Sequence, residues 1–198
     1  MSLLLALFLQ TQAPALENDF VRVWRDAAPC ASATAPGCGV RIIVALTDFD
    51  LRSDSVTVTK LKRGGVAVFD AGKPYEPPKG SFFEVAIKPK HPAVESPGEI
   101  IPPEKNSVLY DGKEFFVFEE RLSVGETRAR HSHNQRVVIQ LNRTRLRQWP
   151  DGEPEVLRDI EPDRPSFNPP VIHKVENIGS LPLRGIVIEF KAGPPPPK

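Results

Sequence analysis

The sequence has little of what would mark many common functions. Only two cysteines, Cys30 and Cys38, and four histidines occur in its 198 residues. Two thiols with no third or fourth nearby exclude a thiolate-rich zinc site. Charge of one sign is also missing: 26 basic against 25 acidic residues leave a net +1. No basic field is present to gather nucleic acid or anionic lipid, so neither is expected as a partner. Long apolar runs are absent, the longest stretch near the start being the seven residues Leu3 to Leu9, too short to span a bilayer. There is no Gly-x-Ser-x-Gly elbow, no phosphate loop and no His-Glu-x-x-His pattern, which removes the commonest hydrolase, nucleotide and zinc-protease readings.

Proline is abundant instead, with 22 residues. Each interior proline removes a helical donor and clashes with the turn before it, so many long helices are excluded. Residues 1–15, with Ala13-Pro14-Ala15 after the apolar stretch, read as a signal peptide, and the mature protein is then exported, periplasmic or secreted, with no membrane attachment. No Lys or Arg stands near Met1, and a truncated or frayed terminus is the competing reading. In an oxidising compartment Cys30 and Cys38, bracketing "ASATAPG", can close into a disulfide worth roughly 2–3 kcal/mol. Two unpaired thiols are the alternative.

Beyond the leader, short runs with period-two or β-branched character recur between Gly, Pro, Asp and Ser: "FVRVW" (20–24), "GVRIIVAL" (39–46), "DSVTVTKL" (54–61), "VAVF" (66–69) and "FFEVAIK" (82–88). A second series holds "EFFVFEERL" (114–122), "RVVIQL" (136–141), "TRLRQW" (144–149), "EVLRDI" (155–160), "PPVIHKVEN" (169–177) and "LRGIVIEFK" (183–191). Such spacing predicts an all-β barrel or sandwich. Residues 91–106, rich in proline, read as a linker or long surface loop, and 192–198 as a disordered, extended tail. His91 reads as a solvated loop residue of that linker.

The two series align in order. Arg41 falls over Arg136 at an offset of 95, while "VAVFDAG" over "PPVIHKV" and "FFEVAIK" over "GIVIEFK" need 103. This predicts a duplicated β-unit with about eight extra residues in the second copy, most simply at "PDGEPE" (150–155). Chance likeness among valine-rich strands is the alternative.

His131 and His133 stand two apart just before "RVVIQL". In a strand such residues face one side, and paired imidazoles suit a first-row divalent cation that a third nitrogen ligand would complete. His173 opens another strand-like run. By the same alternation Arg128 and Arg130 should face away from His131, onto a solvated outer surface.

These residues resemble the cupins. Gly125, five residues, then His131-Ser132-His133 fit the first cupin motif, and "NPPVIHKVEN" supplies His173 and Asn177 in the relation of the second. The resemblance covers 107–191 well and 16–90 weakly. It implies an all-β chain of two tandem double-stranded β-helix (jelly-roll) barrels: a degenerate N-terminal barrel over 16–90, the linker 91–106, and a C-terminal barrel over 107–191 carrying the site. It implies one divalent metal ion, Fe, Zn, Ni or Mn, held by His131, His133 and His173, with Gln140 and Asn177 as further site residues. The family's usual glutamate is absent, Val137 or Val138 standing there, and Pro170 replaces a glycine. In the first copy Pro36 and Cys38 stand at the places of His131 and His133, so that barrel has lost the site.

Two functions are compatible with these features. One is a metal-dependent enzyme acting on a small organic molecule, oxygenase-like or isomerase/lyase-like, through a three-histidine dioxygenase-like or Lewis-acid centre. The other is a non-catalytic binding or storage module with a structural metal or a vestigial site. A small-molecule ligand is the expected partner, and a homodimer fits either reading.

Overall fold

The computed structural model describes residues 12–53, 56–102 and 106–193. Most of the leader-like segment and most of the tail lie outside the described residues. Every regular element among them is a strand: β1 Leu16–Glu17, β2 Val21–Arg25, β3 Arg41–Ala45, β4 Phe49–Ser53, β5 Val56–Leu61, β6 Val66–Phe69, β7 Phe82–Ile87, β8 Ser107–Asp111, β9 Phe115–Leu122, β10 Thr127–His133, β11 Arg136–Gln140, β12 Thr144–Pro150, β13 Val156–Ile160, β14 Pro165–Asn168, β15 Val171–Asn177 and β16 Leu183–Phe190. The first half forms a sheet in the order β1-β2-β7-β3-β6 with the hairpin β4-β5 against it. The second half forms the sheets β14-β11-β16-β9-β8 and β10-β15-β12-β13. The architecture is an all-β double jelly roll.

The apolar runs without alternation are explained by what lies on each face. Ile42, Val44, Phe83, Val85 and Ile87 of the first large sheet meet Val117, Val137, Ile139, Ile186 and Ile188 of the second in one core. Ile43, Ala45 and Phe82 point the other way, into the first barrel with Leu51, Leu61 and Tyr75. A strand buried on both faces has no use for polar alternation. Each such side chain taken from water contributes on the order of 1.5–3 kcal/mol. Arg63 ties the halves together, donating to the carbonyl of Leu46 (2.6 Å), to the carbonyl of Leu141 (2.5 Å) and to Asp163 Oδ1 (3.0 Å). Leu46 and Leu141 are themselves counterparts at the offset of 95.

Strand register makes the duplication explicit and corrects its details. Phe49 pairs with Leu61 and Thr144 with Ile160, so the offset rises from 95 to 99 across the hairpin. It is still 99 where Phe69 pairs with Arg41 and Asn168 with Arg136. It reaches 103 in the last strands, where Phe83 faces Val44 and Ile186 faces Ile139. Only half of the inserted length therefore sits at the β12–β13 turn. The counterpart of "VAVF" is "PSFN" (165–168), not "PPVI", and Ser53–Tyr75 matches Gln148–Val175, which places Lys73 opposite His173.

The proline-rich segment is docked. Val94 packs on the shared core, Glu95 N–H donates to Gln135 Oε1 at 2.9 Å, Ser132 N–H donates to the Ile101 carbonyl at 2.8 Å, and Ile101 N–H donates to Ser132 Oγ at 2.7 Å. His91 is half-buried, its ring stacking on Phe20 with centroids 5.1 Å apart. Prolines suit a strap that needs few donors of its own.

Candidate metal centre

Strand pairing brings the histidines together. Gly125, at φ 75°, makes the left-handed turn into β10; nothing stands within 4 Å of where its Cβ would be, so backbone conformation alone calls for glycine there. From the turn β10 pairs with β15, and His131 faces His173 directly across the ladder. His133, two residues on, shares their face. Ring centroids lie 4.8 Å (131–133), 4.6 Å (131–173) and 5.6 Å (133–173) apart. One nitrogen from each ring lies within 4.8 Å of the others.

The tautomers suit a cation. His131 Nδ1 bonds the Ala129 carbonyl at 2.7 Å, which puts its proton there and leaves Nε2 bare. His133 Nδ1 lies 2.7 Å from Glu189 Oε2, whose other oxygen accepts the Asn134 N–H at 2.9 Å. The Nε2 atoms of His131 and His173 are buried without a hydrogen-bond partner. Buried polar atoms left unpaired are costly, and converging imidazole nitrogens are the donor set a divalent metal takes. The residues present fit such an ion. Burial holds all three rings below the ordinary histidine range, His173 down to about 2. The cluster is thus neutral at pH 7, as ligation demands. Burial also pushes Glu189 up to about 7, against the pull of the Asn134 N–H and Arg136. His133 and Glu189 therefore share a proton as a hydrogen-bonded pair more than they form an ion pair. A carboxylate behind a ligating histidine fixes ring orientation and raises its basicity.

Glu189 is the residue that the sequence alone did not bring to the site. Its signal was a single acid in the apolar run "GIVIEF", buried to 5% exposure. Gln140 does face the site: with Arg136, Val138, His133 and His173 it lines a cavity of about 250 Å³, and its Oε1 is buried without a partner. Val138, at one of the two places of the family glutamate, points into the same cavity, whereas Val137 points into the inter-sheet core. Asn177 stands elsewhere. Its Nδ2 donates to the carbonyls of Leu122 (3.0 Å) and Leu181 (2.9 Å), and its Oδ1 accepts from Thr144 Oγ1 (2.6 Å) and Gly179 N–H (3.1 Å). With every donor and acceptor spent, it staples the 178–182 turn. Gly179 is required there because a Cβ would come within 2.3 Å of Thr144 Oγ1.

A register shift between Arg128 and His131 overturns the simple alternation of β10. The bulge turns Arg128 inward, 6% exposed, where it bonds Asn106 (2.8 Å) and Glu120 (3.0 Å). Arg130 remains outside, paired with Asp151 (2.6 Å) and Glu99 (2.9 Å). A bulge inserts one residue and re-aims the side chains beyond it, and here the residues re-aimed are the histidines. A second cavity of about 410 Å³, walled by Phe116, Phe118, Ile101 and Val108, lies on the far side of Glu189. Cys30 and Cys38 are joined in a disulfide with Cα atoms 5.8 Å apart.

No protein-family model matches the sequence, and no curated protein does. Solved structures do. The cupin 2 conserved barrel domain protein from Leptotrichia buccalis aligns over 89% of this chain and 86% of its own, at 14% identity and a TM-score of 0.51. AerE from Microcystis aeruginosa aligns over 77% and 78%, at 17% identity and 0.50. Oxalate decarboxylase from Bacillus subtilis aligns over 77% of this chain but 63% of its own, at 12% identity and 0.51. At such identities the likeness is one of fold.

Proposed function

From the premise that the chain has the cupin fold, we propose that it binds one divalent metal ion through His131, His133 and His173 and acts on a small organic molecule there. The observation that carries this reading is the pair of buried, unpartnered Nε2 atoms of His131 and His173, converging with a third ring whose other nitrogen is anchored on Glu189. Three protein ligands leave coordination positions open, and an ion so held supplies Lewis-acid or oxygen-activating chemistry. The chain's own part is to present neutral imidazoles, to fix the His133 ring through Glu189, and to exclude water with Val138, Leu146 and Val175 in the cavity wall. Of the candidate ions, iron, zinc and nickel suit imidazole ligands best, and manganese prefers oxygen donors. The Cys30–Cys38 bridge supports placing the protein in an oxidising compartment.

A second reading, a binding or storage module with a structural ion, is favoured by the missing family glutamate. The two separate in the coordination sphere. Protein reconstituted with Co(II) should show a visible absorption spectrum that shifts on adding azide, because an open position exchanges its water. A Co(II) spectrum indifferent to azide would mean a closed shell, and the enzymatic reading would then fail.

A further inference from the structure

The two repeats place an arginine at the same point of the same strand and use it differently. Arg41 begins β3 opposite Phe69, and Arg136 begins β11 opposite Asn168. In both, Nη1 donates to the carbonyl two residues back, Gly39 at 3.1 Å and Asn134 at 3.2 Å. In both it also reaches the carbonyl just past the neighbouring strand, Asp70 at 2.6 Å and Pro169 at 2.9 Å. There the likeness ends. Arg41 Nη2 is taken by the Lys73 carbonyl, and the side chain is sealed at 1% exposure. Arg136, at 8%, has no hydrogen bond from Nη2 or Nε among the described residues, and it lines the cavity onto which His133 and His173 open.

Three of the five N–H donors of Arg136 have no protein acceptor among the described residues, so they are available to whatever enters the cavity that it lines. Arg158, on β13, lines the same cavity and has no ion pair among the described residues. Of the acids there, Glu120 is held by Arg128 at 3.0 Å and Glu153 sits exposed at the mouth. Glu189, across the ladder from Arg136, has its oxygens engaged by His133 Nδ1 and the Asn134 N–H, and Arg158 is as exposed as Glu153, so the unpaired charge of the interior is that of Arg136. Planar, bidentate donors match a carboxylate better than a hydroxyl. At about 250 Å³ the space lies just below the usual range of ligand pockets.

We propose that this cavity selects a small organic acid, its carboxylate received by the open donors of Arg136 with Arg158 at the mouth. As a statement about substrate, this rests on the histidine cluster being the reactive end of the same cavity.

The test is calorimetric titration of lactate against lactamide and benzoate against benzamide, on metal-free and metal-loaded full-length protein. Each acid should bind about tenfold or more tighter than its neutral amide in both forms, the difference expected of a charge-assisted bond. Arg136→Gln should abolish the preference and Arg158→Gln should reduce it severalfold. Because Arg136 also holds two loop carbonyls, Arg158→Gln decides the matter if Arg136→Gln does not fold. Equal affinities for acid and amide, or a preference that appears only with metal and ignores both substitutions, would overturn the proposal. Stoichiometric metal with no acid preference would sink this inference alone. An arginine-dependent preference without metal uptake would sink the metal reading and leave the anion site standing.

Discussion

The first and second barrels are built from the same strands in the same order, yet their interiors hold opposite contents. Register places Trp24 where the second barrel has Phe118, and Ala86 where it has Glu189. The offset of 95 sets Cys38 against His133. Phe118 stacks along His133, with centroids 6.1 Å apart, whereas Trp24 packs with Ala86, Cys30 and the disulfide. Each barrel also buries one acid of its last strand, but not at equivalent positions. Glu84, fully buried, is consumed by the Tyr75 hydroxyl and the Cys30 N–H at 3.1 Å; Glu189 turns to a histidine. The sheet-to-sheet core determines that both halves fold alike, and a few inward positions determine that only the second gathers three histidines.

If that contrast is right, substitutions in the two barrels should separate cleanly. Glu189→Gln should weaken metal binding about 10- to 100-fold, the usual consequence of losing the group behind a ligating histidine; chelator-competition titration reads this, and unchanged affinity would make Glu189 a bystander. Tyr75→Phe strips a buried carboxyl of its hydroxyl partner and should cost roughly 1–3 kcal/mol in denaturant unfolding, with metal affinity untouched. A joint loss of stability and metal binding would show that the barrels are not independent in the way described.

The smallest effect is on pH. All three site histidines sit below their ordinary range, so below about 6.5 the unfolded chain takes up more protons than the folded one, and metal-free stability falls as pH drops through that value. Glu189, raised to about 7, acts with the opposite sign between its unfolded and folded values and offsets part of the loss. Glu84 is likewise raised by burial, so acid does not penalise it. Hydrogen exchange compared at pH 7.5 and pH 5 should show β10 and β15 loosening while β3 and β7 hold. Uniform loosening would contradict the assignment of the acid-sensitive groups to one barrel.

Much of this was legible in the sequence, and the exceptions share a cause. "GVRIIVAL", "FFEVAIK", "RVVIQL" and "GIVIEFK" became β3, β7, β11 and β16 because β-branched runs bounded by turn residues suit strands buried on both faces. His131 and His133 share a face as their spacing requires. The strands β1, β8 and β14 carry too little pattern to stand out alone and exist because neighbours offer them hydrogen bonds, whereas β4 alternates Phe49-Asp50-Leu51-Arg52 and was legible in principle. Arg128 turned inward because of a bulge, which alternation cannot foresee. Glu189 needed register: only when Arg136 is set against it across β11 and β16 does its carboxylate arrive behind His133. Asn177 shows the converse, since a motif position fixes where a residue stands but not whether its side chain is already spent.

The deciding test of the metal centre is metal content by mass spectrometry on protein purified without an affinity-metal column, beside His131→Ala, His173→Ala and the N-terminal Tyr75→Phe variant. The expected result is about one equivalent of a single divalent metal in the parent and in Tyr75→Phe, and almost none in either histidine variant. No metal in the parent after reconstitution, or full occupancy in a histidine variant, would contradict it.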